Sequence, residues 1–131
     1  MTRFWISPEE AVNFVMSSIE NMVGGEVFIP KIPSMSVVDL AKAIAPECEL
    51  EIVGIRPGEK LHEVLVSENE ARITVEYDDY YAIPPMYQAR STQSGSDGDG
   101  GNPCPDGFRY SSDTNRHWLT TDEIRQMVGI N

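Results

Sequence analysis

Ser7-Pro8-Glu9-Glu10-Ala11-Val12-Asn13-Phe14-Val15-Met16-Ser17-Ser18-Ile19-Glu20-Asn21-Met22-Val23-Gly24-Gly25-Glu26-Val27-Phe28-Ile29-Pro30 decides how the chain is read. Ser7 is placed to cap a helix, Pro8 suits its first position, and Glu10 completes a capping box. Ala11, Val12, Phe14, Val15, Ile19 and Met22 recur at helical spacing, and Gly24-Gly25 stops the helix. Glu26–Ile29 then reads as a short strand closed by Pro30 and Pro33. A second helix opens at Ser36 with Asp39, runs through Val37, Leu40, Ala41 and Ile44, and ends before Pro46. Glu49-Leu50-Glu51-Ile52 alternates like a strand with one buried face. Helix, strand, helix, strand is the order of an α/β protein.

Further along, Leu61, Val64 and Leu65 fit either a short helix or a strand. Ile73–Tyr77 is a clearer strand, and Tyr80–Ile83 is expected to continue it past Asp78-Asp79 until Pro84-Pro85. A final helix starts at Thr120, with Glu123 as its capping partner, and runs through Ile124, Met127 and Val128 to Gly129. The expected organisation is an α/β region over residues 1–87, a polar, Gly-rich loop over 88–107, and a tail with a helix over 108–131. The loop is expected to be solvated or disordered, because it has almost no apolar residues to bury.

The chain has 131 residues, 40% of them apolar, which is enough for one modest core. A formal net charge of −11 argues against nucleic acid and anionic membrane surfaces as partners, yet leaves room for a small anion at a local basic cluster. Cys48 and Cys104 form no CxxC and no zinc pattern, so a reducing, cytoplasmic setting is expected. No apolar run is long enough to span a membrane, and no leader is recognised at the start.

Gly54-Ile55-Arg56-Pro57-Gly58-Glu59-Lys60-Leu61-His62-Glu63 carries the most chemical information. Pro57 fixes its own φ and Gly58 permits a sharp turn, so the turn can aim the Arg56 guanidinium in one direction. A planar fork of donors held this way suits a phosphate or carboxylate. An Arg–Glu surface pair without a ligand is the competing reading.

Other constellations are weaker. Gly95, Gly98 and Gly101 mimic a dinucleotide fingerprint but lack the preceding strand and following helix, and Asp97 and Asp99 would repel phosphates. The same acidic run lacks the bidentate Glu of a calcium loop, since Phe108 holds that position. His62 and His117 have no Ser or Cys partner at a known spacing. There is no G-x-S-x-G and no H-E-x-x-H, and no lysine has a Tyr four residues before it. No catalytic or metal-binding residue is therefore expected in the chain.

Met1-Thr2-Arg3-Phe4-Trp5-Ile6-Ser7, the Gly54–Glu63 segment, and Tyr110-Ser111-Ser112-Asp113-Thr114-Asn115 with Trp118-Leu119 together resemble one family. It is the C-terminal part of the inverting UDP-N-acetylglucosamine 4,6-dehydratases, extended short-chain dehydrogenases of surface-sugar pathways such as that to pseudaminic acid. The resemblance covers essentially the whole chain. The Arg-Pro-Gly-Glu-Lys turn is shared with other nucleotide-sugar enzymes, and the opening segment is more selective. Family members are more than twice this length. Their N-terminal Rossmann half carries the Gly-rich cofactor loop and the catalytic residues, none of which is in this sequence.

The resemblance implies the substrate-binding portion of an α/β extended short-chain dehydrogenase, with a few strands and flanking helices and no Rossmann half. In the whole enzyme NADP would take and return a hydride while water leaves the sugar and C5 is inverted. This chain alone is expected to bind no cofactor and to be inactive. It would hold a UDP-sugar, with Arg56 clamping the diphosphate and Glu59 meeting the ribose or fixing the guanidinium. Arg3 would be a second phosphate or sugar contact. Phe4 would lie beside the uracil or sugar, a core role being equally open, and Tyr110 and Asn115 would close over the nucleotide. Trp5 and Trp118 are left as core or interface aromatics. A homo-oligomer, or association with a Rossmann-containing chain, is the expected assembly. The alternatives are a non-catalytic nucleotide-sugar-binding or interaction module, and a decayed fragment.

Overall fold

A computed structural model describes residues 1–85 and 100–130 of the chain. Their contacts divide into two compact units, one of residues 1–7, 32–64 and 111–131, the other of residues 8–31 and 65–110. The chain passes between them four times, after residues 7, 31, 64 and 110, the last two within the short strands β4 (Val64–Val66) and β8 (Tyr110–Ser111).

In the first unit, β1 (Thr2–Phe4) pairs antiparallel with β3 (Ser34–Ser36), so that Thr2 faces Ser36 and Phe4 faces Ser34. α2 (Val37–Ile44) starts directly from β3, with Ser36 as its N-cap accepting from the Val38 N–H. The other helix, α4 (Thr121–Met127), begins at the expected Thr120/Glu123 capping box. α4 lays Ile124, fully buried, against Met35 and Ala43, with Trp5, Leu40 and Leu119 around them. Burying a side chain of that size stabilises by about 1.5–3 kcal/mol. Arg125 Nε donates to the Ala43 carbonyl at 3.1 Å, covering one of the orphan carbonyls at the end of α2.

The second unit holds a four-stranded antiparallel sheet. Its order is β2 (Val27–Pro30), β6 (Tyr80–Ile83), β5 (Val75–Glu76), β7 (Asn102–Pro103). α1 (Pro8–Asn21) and α3 (Glu68–Ala71) belong to the same unit. α3 carries a second capping box, Ser67 with Glu70. The S-x-x-E spacing was there to be read.

Three expectations change. The strand at 49–52 does not form: residues 48–56 have no regular structure, and Ile52 is 95% exposed. Alternation makes a strand only where a neighbour supplies the ladder, and no described strand pairs with this segment. Tyr80–Ile83 does not continue the preceding strand but folds back on it around Asp78-Asp79, and the Tyr77 N–H donates to the Tyr80 carbonyl. Residues 88–99 lie outside the described residues, but 102–103 of the expected loop form β7 on the open edge of β5. α1 also behaves differently from its pattern. It has no buried residue, and Val12, Val15, Met16 and Ile19 are all more than half exposed.

Candidate functional site

The turn at 54–63 is built as its composition requires. Gly54 and Gly58 both take φ +83°, a conformation that costs a residue with a Cβ far more than glycine. The Glu59 N–H donates to the Arg56 carbonyl at 3.0 Å, and Glu59 Oε2 accepts the Arg56 N–H at 3.0 Å. Glu59 therefore closes the turn on the Arg56 backbone. The guanidinium of Arg56 is exposed and makes no ion pair among the described residues, which removes the Arg–Glu surface pair as an account of this residue.

Arg3 lies against the far end of the same turn. Its Nε pairs with Glu63 at 3.3 Å, Nη1 donates to the Thr2 and Leu61 carbonyls at 2.7 and 3.3 Å, and Nη2 donates to the Lys60 carbonyl at 2.9 Å. Thr2 holds the turn as well: its N–H donates to the Leu61 carbonyl at 2.8 Å. The Thr2 hydroxyl lies 2.8 Å from His62 Nδ1 and 2.7 Å from the Ser112 hydroxyl, which in turn accepts the Glu63 N–H at 2.8 Å. Ser111 joins this cluster by donating to the Glu63 carbonyl and to Asp113. Thr2, Ser111 and Ser112 are buried, so these bonds replace water for groups that would otherwise be left unsatisfied. Sequence reading missed Thr2, Glu63, Ser111 and Ser112 as a group. Their only shared signal is that each stands in one of the three recognised segments.

Asn115 takes part in a separate knot of the same unit. Its Nδ2 donates to the Ile32 carbonyl, the Ser34 hydroxyl and the His117 carbonyl at 2.9, 3.0 and 3.1 Å. Its backbone carbonyl accepts from Trp118 Nε1 at 2.7 Å, and Trp118 is 40% exposed. Phe4 is partly buried in β1 opposite Ser34. Tyr110 belongs to the second unit, where it is buried against the Tyr81 ring at 5.0 Å. Arg56, Glu59 and Arg3 are thus brought together on one turn, and Asn115, Phe4 and Tyr110 are held by contacts of their own.

In the second unit Lys31, Glu76 and Cys104 lie together. Lys31 pairs with Glu76 at 2.7 Å and lies over the Tyr81 ring at 4.9 Å. Burial, with the Glu76 carboxylate adding to it and Lys31 opposing, pushes the Cys104 thiol up to about 11. It is a thiol at neutral pH, not a nucleophile. No group of His, Cys, Asp or Glu among the described residues could hold a metal ion. Of the Gly95, Gly98 and Gly101 spacing, only Gly101 is among the described residues. It sits against Val75 and Tyr77 beside the strand β7.

The fold and the turn define a mixed α/β domain of the kind expected for the C-terminal portion of an extended short-chain dehydrogenase. Its fold matches the X-ray structure of Pen from Bacillus thuringiensis with a TM-score of 0.76 and 26% identity, over 98% of this chain and 38% of that one. Residues 1–85 match the family described as polysaccharide biosynthesis protein, and the chain belongs to that family. It is 46% identical over 132 aligned positions to a UDP-N-acetylglucosamine 4,6-dehydratase (inverting) of Campylobacter jejuni subsp. jejuni, covering 98% of this chain and 40% of the relative. A UDP-glucose 4-epimerase of Rickettsia canadensis is 35% identical over 88 positions, covering 64% of this chain and 26% of the relative. The chain thus spans well under half the length of the curated relatives it matches.

Proposed function

We propose that this chain supplies the nucleotide-sugar-binding portion of a 4,6-dehydratase that acts on UDP-N-acetylglucosamine, with Arg56 as the contact to the diphosphate. The observation that carries the reading is the state of Arg56: a guanidinium without a carboxylate partner among the described residues, on a turn whose backbone is closed by Glu59. A guanidinium fork is matched in geometry to phosphate oxygens. The relatives' activities involve UDP-sugars, so a uridine diphosphate is the anion of choice.

In a dehydratase, binding energy from the remote nucleotide orients the sugar for reaction. Arg56 and Glu59 serve that purpose in this reading. The cofactor, NADP, and the groups that move protons belong to the length of the relatives that this chain does not span. The chain by itself is then a binder without turnover, and it works in the cytoplasm, where nucleotide sugars are made.

The test is calorimetric titration of the 131-residue chain with UDP and with UDP-N-acetylglucosamine. Both bind in this reading, and Arg56→Ala weakens both by about tenfold or more, the loss of a charge-assisted contact. Equal affinity of the Arg56→Ala variant and the unaltered chain would sink the assignment. A second reading, an interaction module, is favoured by the exposed apolar residues of α1. Sedimentation decides it: a homo-oligomer, or a complex with a Rossmann-containing chain, supports it, and a clean monomer in both cases excludes it.

A further inference from the structure

We infer that Arg3 is a positioning residue, a brace for the turn that presents Arg56, and does not itself hold the anion. The inference rests on the reading of Arg56 as the diphosphate contact. A guanidinium has five N–H donors, and a bidentate grip on a phosphate needs two parallel ones from the same edge. Nε of Arg3 is committed to Glu63, Nη1 to the carbonyls of Thr2 and Leu61, and Nη2 to the carbonyl of Lys60. Three of the five N–H groups are spent on carbonyls, and the Glu63 carboxylate, paired with Nε, already balances the charge. An anion would have to displace Glu63 to find two parallel donors on this guanidinium.

What Arg3 does hold is the chain that follows Arg56. The carbonyls of Lys60 and Leu61 point at one side chain, and Glu63, from the same segment, pairs with it. Thr2 adds its N–H to the Leu61 carbonyl from the same strand. Upstream of the brace, residues 50–60 are all exposed, so the direction of Arg56 depends on this anchorage and on the Glu59 closure. Lysine would keep the positive charge, but its point-like ammonium on a flexible stem cannot reproduce a planar fork that reaches three carbonyls and a carboxylate.

The test compares Arg3→Lys and Arg3→Gln in the 131-residue chain. It reads UDP affinity by calorimetry, amide exchange at Arg56 and Glu59 by NMR, and the thermal transition by circular dichroism. A brace predicts that both variants weaken UDP binding alike, by about fivefold, and that exchange at Arg56 and Glu59 quickens in both. Rescue of affinity by Arg3→Lys with unchanged exchange would overturn the inference, since a direct charge contact behaves that way. If Arg3→Gln shows no cooperative transition, Arg3→Lys alone carries the comparison. If the unaltered chain does not bind UDP, the reading of Arg56 fails and not the brace. Exchange then decides the brace, and unchanged protection at Arg56 and Glu59 overturns it.

Discussion

Glu59 grips Arg56 by its backbone and leaves its guanidinium alone: Oε2 accepts the Arg56 N–H while the Glu59 N–H reaches the Arg56 carbonyl, each at 3.0 Å. An acid three residues after an arginine invites the reading of a salt bridge, and here that reading is wrong. The carboxylate works as a cap does, by satisfying an exposed backbone donor, and such contacts contribute about 0.5–2 kcal/mol. Its consequence is a closed turn whose cation has no ion pair among the described residues.

Glu59→Gln keeps an acceptor but loses its charge. Removing charge assistance is expected to loosen the turn, to weaken UDP binding by about fivefold and to lower the thermal midpoint by about a few degrees at most. Isothermal titration beside a thermal melt checks both halves. Unaltered affinity would show that the turn does not need Glu59 to aim Arg56.

Asn115 is the residue for which a supporting role and a ligand role predict opposite results. Its Nδ2 donates to three acceptors, so aspartate at this position would set a carboxylate against two carbonyls and a hydroxyl. Asn115→Asp is expected to destabilise the chain by about 1–3 kcal/mol, the cost of unsatisfied and repelling polar groups, as urea denaturation would read it. A ligand contact would instead leave denaturation untouched and lower UDP affinity.

Gly101 tests the sheet of the second unit in the same way. A Cβ there would lie 2.3 Å from Val75 Cγ1 and 2.7 Å from the Tyr77 ring, closer than carbon atoms approach. Tyr77 cannot turn away freely, because it stacks on Tyr80 at 4.6 Å. Gly101→Ala should therefore cost about 1–3 kcal/mol by overpacking. Its φ is not of the left-handed kind, so the loss is steric. Gly100→Ala, with open space at its Cβ but φ +67°, separates backbone strain from packing. If the Gly101 variant melts with the unaltered chain, β7 does not pack as described.

How much of this was legible in the sequence follows from what each signal depends on. Caps are local, and Ser36 and Thr120 were readable because a hydroxyl and the backbone donors it satisfies lie within three residues. Proline and glycine around Arg56 foretold a turn for the same reason. Burial is not local. The apolar stripe of α1 and the alternation at 49–52 predict a buried face only if something covers it, and no described residue buries Val12, Ile19 or Ile52. The Thr2–His62–Ser112 bonds join residues 60 and 110 positions apart, which no spacing rule reaches. Residues 1–7, 54–63 and 111–119 lie in the same unit, as a shared family would have it. Recognition of these segments could not show that Arg3 and Asn115 bond mainly within their own unit.

The start of α4 makes stability depend on pH. Glu123 accepts from the N–H and the hydroxyl of Thr120, both at 2.7 Å, and returns its own N–H to that hydroxyl at 3.3 Å. The Thr120 N–H first, then its hydroxyl, hold the Glu123 carboxyl below its ordinary value against an opposing desolvation, with a smaller contribution from His117. A folded value below the unfolded one means that the carboxylate stabilises fully above the ordinary glutamate range. That contribution is lost as pH falls through the folded value, because the folded state must then take up a proton it resists. α4 delivers Ile124 to the core of the first unit, so the cap and the Met35–Ala43 packing should loosen together. Urea denaturation at a series of pH values from about 7 to about 3 should show this loss, and Glu123→Gln should flatten it. Glu70 is likewise held low, by the hydroxyl and then the N–H of Ser67, so Glu70→Gln should remove a second, separate part of the same acid slope. An acid slope as steep in the Glu123→Gln, Glu70→Gln double variant as in the unaltered chain would mean that the capping boxes do not set it.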